Sequence, residues 1–366
     1  MYYLLFGVFI FALLVSQKEK RICVNLTHGR LVSSTNKNLF FFGILMLIWT
    51  LLVFKSESVG NDTYMYRNLY EVAQGYIDEG LIWSWKTQPL YYLMFAVMHG
   101  VGLSFKTAQL LIYTFSIATI AYFWEKYAED KVAALYLWVC MESLWFYMSG
   151  LRQMISISLG TLYFDAIIER KKTKSIVLLA AAILIHKSAL ILLPLLILLL
   201  YSPTRKQLYT IGSVACFLIL LIPNTIIFKI ASLLSFGVYG EFVGQSSNIL
   251  LILIYVFMAA FLVYITARQP FKTRKEELMT VLFFACVFLM CASKKFYLIS
   301  REAYYFKIPL CVVFSNECKK ISNKKNMFFL VLIYLCFAGY YFNSLQSNVL
   351  NVIPYHFFWS VGEVWK

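Results

Sequence analysis

Twelve long apolar runs separated by short polar breaks leave this chain few ways to fold. They cover 1–16, 39–55, 89–104, 108–124, 132–149, 153–168, 176–200, 208–222, 249–267, 278–292, 299–315 and 327–343. A run of about 20 apolar residues crosses a bilayer as a helix. In lipid, the backbone polar groups of a spanning segment must be satisfied within the protein, which a helix does on its own. The pattern therefore predicts an all-α fold, a polytopic transmembrane helical bundle of about 11–13 spanning or half-spanning helices. Composition agrees: 61% of the 366 residues are apolar and 14% are charged, against roughly 25% charged in a soluble domain. The longest polar segments hold about thirty residues, so 1–366 is expected to be one integral membrane domain. The start, M-Y-Y-L-L-F-G-V-F-I-F, has no basic region before its apolar run and reads as a retained first span. No internal repeat or low-complexity segment is visible. The eight cysteines form no C-x-x-C pair and lie mostly in apolar runs, as small hydrophobes do.

The net charge of +15 is not a nucleic-acid signature. It is concentrated in short loops between the runs: 17–38, 169–175, 201–207, 268–277 and 316–326. Loops rich in Lys and Arg stay on the cytoplasmic side. The basic-poor segments 56–88, 223–248 and 344–366 are then outer loops and an outer tail. Parity follows. The run 176–200 lies between two cytoplasmic loops, so it must be a broken pair that turns near His186 on the outer side. Five runs lie between 39 and 168 where an even number of crossings is required. Either 89–104 or 108–124 fails to span.

Charges inside such runs are the informative residues. A cation at the bilayer centre costs roughly 2.5–3.5 kcal/mol on insertion scales, and such residues usually face a bundle interior or a wet cavity. The stretch from Phe146 to His186 carries two of them. Arg152, where one run gives way to the next, has a planar fork suited to phosphate oxygens, and Gln153 adds a neutral donor. The alternative is that Arg152 only snorkels to the headgroups. His186 lies mid-run beside Lys187 and Ser188, at the expected break, and an imidazole can exchange a proton near neutral pH. The other reading is a satisfied structural histidine, which is how His28, His99 and His356 are read. In the first outer loop, Asp62, Tyr66 and Tyr70 recur every four residues and share a helix face. An acid beside phenols suits sugar hydroxyls and ring faces; an interfacial aromatic belt is the other reading. Glu71, Asp78 and Glu79 read as a solvated face, and Trp83, Trp85, Tyr91 and Tyr92 as an aromatic belt. Late in the chain, Arg301, Tyr304 and Tyr305 fall at i, i+3 and i+4 on one face. Glu302 is expected to pair with a nearby lysine. The glycines of L-S-F-G-V-Y-G-E-F-V-G, in 223–248, suggest a loop over a site. No metal-ligand spacing and no phosphate-loop motif occurs.

Three fragments, N-D-T-Y-M-Y, S-G-L-R-Q-M-I-S and I-H-K-S-A-L, are followed by R-E-A-Y-Y. In this order the chain resembles the EpsG family of Wzy-type polysaccharide polymerases, over roughly 1–340. Ser156 is a mild departure, since alanine is common there. The resemblance implies a metal-independent membrane glycosyltransferase of the all-helical kind (GT-C-like) with no cofactor. It would join oligosaccharide repeat units carried on polyprenyl (undecaprenyl) diphosphate into capsule, exopolysaccharide or O-antigen, on the outer face of the bacterial cytoplasmic membrane. Its partners would be the lipid-linked oligosaccharide, the growing glycan, the bilayer and a chain-length regulator, with no nucleic acid. In that reading Arg152 and Arg301 hold the diphosphate, Asp62 or His186 takes the acceptor proton, and Gln153, Ser188, Tyr66, Tyr304 and Tyr305 position substrate. A flippase for the same lipid, a glycan ligase and an O-acyltransferase are the alternatives.

Overall fold

The computed structural model describes residues 1–16, 21–25, 31–80, 88–226, 229, 247–321 and 323–361. The apolar runs form helices at nearly the expected positions. In chain order these are α1 (Tyr2–Ser16), α2 (Asn36–Val53), two short surface helices α3 (Thr63–Glu71) and α4 (Ala73–Asp78), α5 (Pro89–Gly100), α6 (Phe105–Tyr127), α7 (Lys131–Cys140), α8 (Ser143–Ser149), α9 (Leu151–Ile168) and α10 (Lys172–Ile185). A 3₁₀ segment, Lys187–Leu199, follows. Then come α11 (Arg205–Leu221), α12 (Ile249–Thr266), α13 (Arg274–Ala292), α14 (Ile299–Lys319) and α15 (Lys324–Ser347). Outside the all-α bundle, Arg21–Asn25 pairs antiparallel with Leu31–Thr35 in the first basic loop. Length and composition alone qualify α6, α12 and α15 as membrane spans, with the α7–α8 pair, bent by 62°, as a fourth. The expected loop over a site, within 223–248, falls mostly outside the described residues, as do Trp83 and Trp85.

Caps chosen by the sequence start several helices. Ser104, Asp130 and Thr273 each accept a bond from a backbone N–H three residues on. Thr204 and Gln207 form a reciprocal capping box at α11. Each relieves orphan N–H groups that lipid would not solvate.

The basic loops meet at one end. Lys126 bonds Asp165 and Glu169; Asn316 donates to Tyr127 O; Lys131 reaches Asn38; Arg205 donates to Thr266 O; Arg274 reaches Ser202. The opposite end gathers 54–61, 142–152, His186, the start of α14 and the C-terminal tail. There Ser56 N–H bonds His356 O, and Gly60 N–H bonds Asn351 O. The crossing ambiguity resolves on this frame. Helices α2, α6, α7–α8 and α9 run from end to end, whereas α5 stays at the tail end among α3, α4 and α6. Of the two runs in question, α6 is long and apolar enough to cross a membrane, and α5 is not among the helices that are. The reversal at His186 is also visible: α10 arrives there, and the 3₁₀ segment returns until Arg274 bonds Leu198 O. Thirteen residues of 3₁₀ rise roughly 26 Å, against roughly 21 Å for the fourteen α-helical residues of α10. Tighter winding lets the return leg reach the basic end.

Asp165 locks that basic end. It is fully buried, 2.6 Å from Lys126 Nζ and 2.8 Å from the Tyr127 hydroxyl. Salt bridges from Lys126 and Lys171 hold the Glu169 carboxyl down at about 2. Lys126→Met would leave the buried carboxylate to the Tyr122 and Tyr127 hydroxyls and to Lys174, 3.6 Å away. We expect a loss of about 1–3 kcal/mol, below the range for an uncompensated buried charge, because those partners remain and Lys126 is 32% exposed. Thermal unfolding in detergent reads this directly. The Glu169 share of this lock is present above its free-chain pKa and is lost as pH falls toward about 2.

Candidate active site

Four separated stretches converge at the tail end of the bundle. The helix break after Gly150 puts Arg152 in the first turn of α9. Its guanidinium lies over the Tyr91 ring, 5.6 Å from the centroid. The Tyr66 phenol lies beside the Arg152 backbone N–H, and the Arg152 Nε is buried with no partner among the described residues. Arg301 sits in the first turn of α14. The amide of Gln153 donates to Arg301 O at 3.0 Å, tying the starts of α9 and α14 together. Gln153 thus positions the second arginine by its backbone.

Asp62 immediately precedes α3, but its side chain does not cap that helix. Burial pushes its carboxyl above the usual carboxylate range, and the Arg301 and Arg152 guanidiniums pull it back. The Tyr66 phenol, fully enclosed, is pushed up to about 12 by burial, with the same two arginines opposing. One acid and two guanidiniums therefore share a single field. Tyr70 leaves the group: its hydroxyl donates to Leu103 O at 2.6 Å, and its ring packs on Phe95 and Phe105. Glu71, Asp78 and Glu79 are exposed, as a solvated face requires.

His186 ends α10 in extended backbone and lies within electrostatic reach of Arg152, Arg301 and Lys187. Its Nδ1 accepts from Ser188 N–H at 3.2 Å. A neutral imidazole so bonded keeps its proton on Nε2, which makes the remaining ring nitrogen a donor. Ser188 and Tyr305 share a hydrogen-bond chain. The Ser188 hydroxyl is 2.9 Å from the Tyr305 hydroxyl, which donates to Ser156 Oγ at 2.8 Å; Ser156 in turn donates to Ala182 O. This chain pins α9, the broken pair and α14 together. Tyr304 and Tyr305 thus part company: Tyr305 joins that network, while Tyr304 stacks on Phe146, with centroids 4.0 Å apart. Glu302 lies beside Ser188, and among the described residues its Oε2 is buried without a partner.

Two ionisable residues within the runs, Glu142 and Lys307, were passed over in the sequence. The signal was available: a charge inside an apolar run calls for a functional reading by default. Both line a cavity of about 250 Å³ that Arg301 and Tyr304 also border. Among the described residues, no three His, Cys, Asp or Glu side chains cluster as a metal ion would require.

Gly60 controls where Asp62 stands. Its φ is +93°, and an added Cβ would lie 2.5 Å from Met148 O. Gly60→Ala is expected to cost about 1–3 kcal/mol in backbone strain and to shift Asp62 off the arginines. Lower melting temperature together with lower activity checks this. Gly75→Ala, with open space around its Cβ position, should change neither.

The EpsG family model matches residues 38–357. The chain belongs to the EpsG family. This is a Wzy-like polysaccharide polymerase family, and the match spans from the second helix to the docked tail. No curated protein and no solved structure matches the chain. As an EpsG-family protein it is a multi-pass membrane protein of a glycosyltransferase-type polymerase group. Within it, the residues that carry the family resemblance, Asp62, Arg152, His186 and Arg301, come together at one end.

Proposed function

We propose that this EpsG-family protein extends a surface polysaccharide by transferring a glycan from polyprenyl diphosphate to a lipid-linked repeat unit. The observation that carries the reading is the shared field of Asp62, Arg152 and Arg301. Two guanidiniums bind the diphosphate and stabilise the charge it gains as it leaves. The bond from the anomeric carbon to the phosphate oxygen breaks, and its electron pair stays with the diphosphate. A bond to the acceptor hydroxyl oxygen forms, and Asp62 takes the proton. His186 donates from Nε2 to a substrate oxygen, and Tyr66 positions the sugar beside Arg152. The chemistry needs no redox partner and no metal. The basic loops set the orientation: they stay cytoplasmic, so the site opens on the outer face of the bacterial cytoplasmic membrane. A chain-length regulator would act from that side.

The experiment is the location of single units in a strain lacking the gene. A polymerase defect leaves unpolymerised lipid-linked units on the outer leaflet, open to an added glycosidase. Units trapped inside would point to a flippase instead, and polymer of normal length lacking only acyl groups would point to an acyltransferase.

A further inference from the structure

The cavity bordered by Arg301 has its own chemistry. Its floor lies at the bend between α7 and α8. There Glu142 adopts a left-handed φ of 63°, uncommon for a residue with a side chain, and such outliers persist mainly at functional sites. The bend frees the carbonyl of Met141, and Lys307, 3% exposed, donates to it at 2.6 Å. The same ammonium lies 3.4 Å from the centroid of the Tyr304 ring. Glu142 lies beside the Tyr340 hydroxyl and within electrostatic reach of Lys307. The half-buried carboxylate and the buried ammonium act on one another, and the floor offers hydrogen-bonding groups of both kinds. Tyr304 has one ring face on Phe146 and the other under the Lys307 ammonium, so it offers the cavity only its edge, and Asn343 supplies an amide.

We infer that this cavity seats one uncharged sugar ring, the one joined directly to the lipid diphosphate. A carboxylate among phenols and an amide matches sugar hydroxyls. The volume of about 250 Å³ lies below the roughly 300–1,000 Å³ of pockets for drug-sized ligands, which suits one ring and not a chain. Position selects which ring. Arg301 borders both the cavity and the Asp62 group. The tail residue Leu350, which lines the cavity, accepts a 3.2 Å bond from Asn61 N–H beside Asp62. A diphosphate held by Arg301 would thus present its first sugar here.

The inference rests on the diphosphate reading of Arg152 and Arg301, and the test separates the two. Binding to purified protein is measured with undecaprenyl diphosphate and with the lipid-linked units that accumulate in a strain lacking the gene. The wild type should prefer the sugar-bearing lipid. Glu142→Gln and Asn343→Ala should each cut that preference about tenfold, as loss of a charge-assisted hydrogen bond does, with undecaprenyl diphosphate bound as before. Asn343 is exposed, so its variant guards against misfolding of the Glu142 variant. Wild-type preference retained in both variants overturns the inference and leaves the diphosphate reading intact. So does a parallel loss of both lipids. Undecaprenyl diphosphate that fails to bind the wild type, or binds Arg152→Ala equally well, overturns the diphosphate reading and the inference with it.

Discussion

Arg152→Ala is expected to reduce polymer formation by a factor of about 10²–10³, the usual cost of removing one preorganised donor to a developing negative charge. The expectation follows from what the guanidinium does in the resting protein. It leaves Nε buried without a partner and rests on the Tyr91 face. A donor held in that way is oriented before a ligand arrives, so little reorganisation opposes its use. Arg152→Lys should recover only part of the loss, because a point charge cannot grip two oxygens in parallel. Protein levels must stay normal, which is expected because Arg152 anchors no buried carboxylate. The readout is polymer length on a gel from cells expressing each variant at equal amounts. Normal length in Arg152→Ala would remove the arginine from the mechanism.

Asp62→Asn should lower the rate by about 10²–10⁴, the range for a general base, and it carries a signed pH dependence. Burial raises the Asp62 carboxyl, and Arg301 then Arg152 oppose that rise. A base acts only when ionised, so the rate should climb with pH along a limb set above the ordinary carboxylate range. Arg301→Gln removes the larger opposing cation, and the limb should move to higher pH. A limb that stays in place would mean Asp62 is not the group that titrates. Stability should run the other way. A carboxyl raised in the folded protein costs stability once pH exceeds its free-chain pKa, because the folded state holds the proton more tightly. Asp62→Asn should therefore be neutral or slightly stabilising at neutral pH while activity collapses.

The bundle was legible because lipid exposure writes itself into every residue of a span. The runs at 249–267 and 327–343 became α12 and α15 with ends shifted by only a few residues. Charge counts placed the basic loops at one end, and parity placed the reversal at His186. Facing was harder to read. Helical spacing put Arg301, Tyr304 and Tyr305 together, yet neighbouring helices divide them between the cavity and the Ser156–Ser188 network. The 62° bend between α7 and α8 has no proline to announce it, and that bend is what brings Glu142 to Lys307. Gln153 and Ser188 were read by their chemistry alone; the folded chain uses both to hold other residues in place. The run 89–104 is apolar enough to suggest a span, but α5 holds only 12 residues, roughly 18 Å of helix against a core of about 30 Å.

The most direct measurement is extension in vitro. Purified protein in detergent is given purified lipid-diphosphate repeat units, and products are resolved on a gel. The account predicts a ladder of lengthened glycans, one molecule of undecaprenyl diphosphate released per bond formed, and neither product with Arg152→Ala. Intact units with no ladder, or a ladder that Arg152→Ala leaves unchanged, would contradict it.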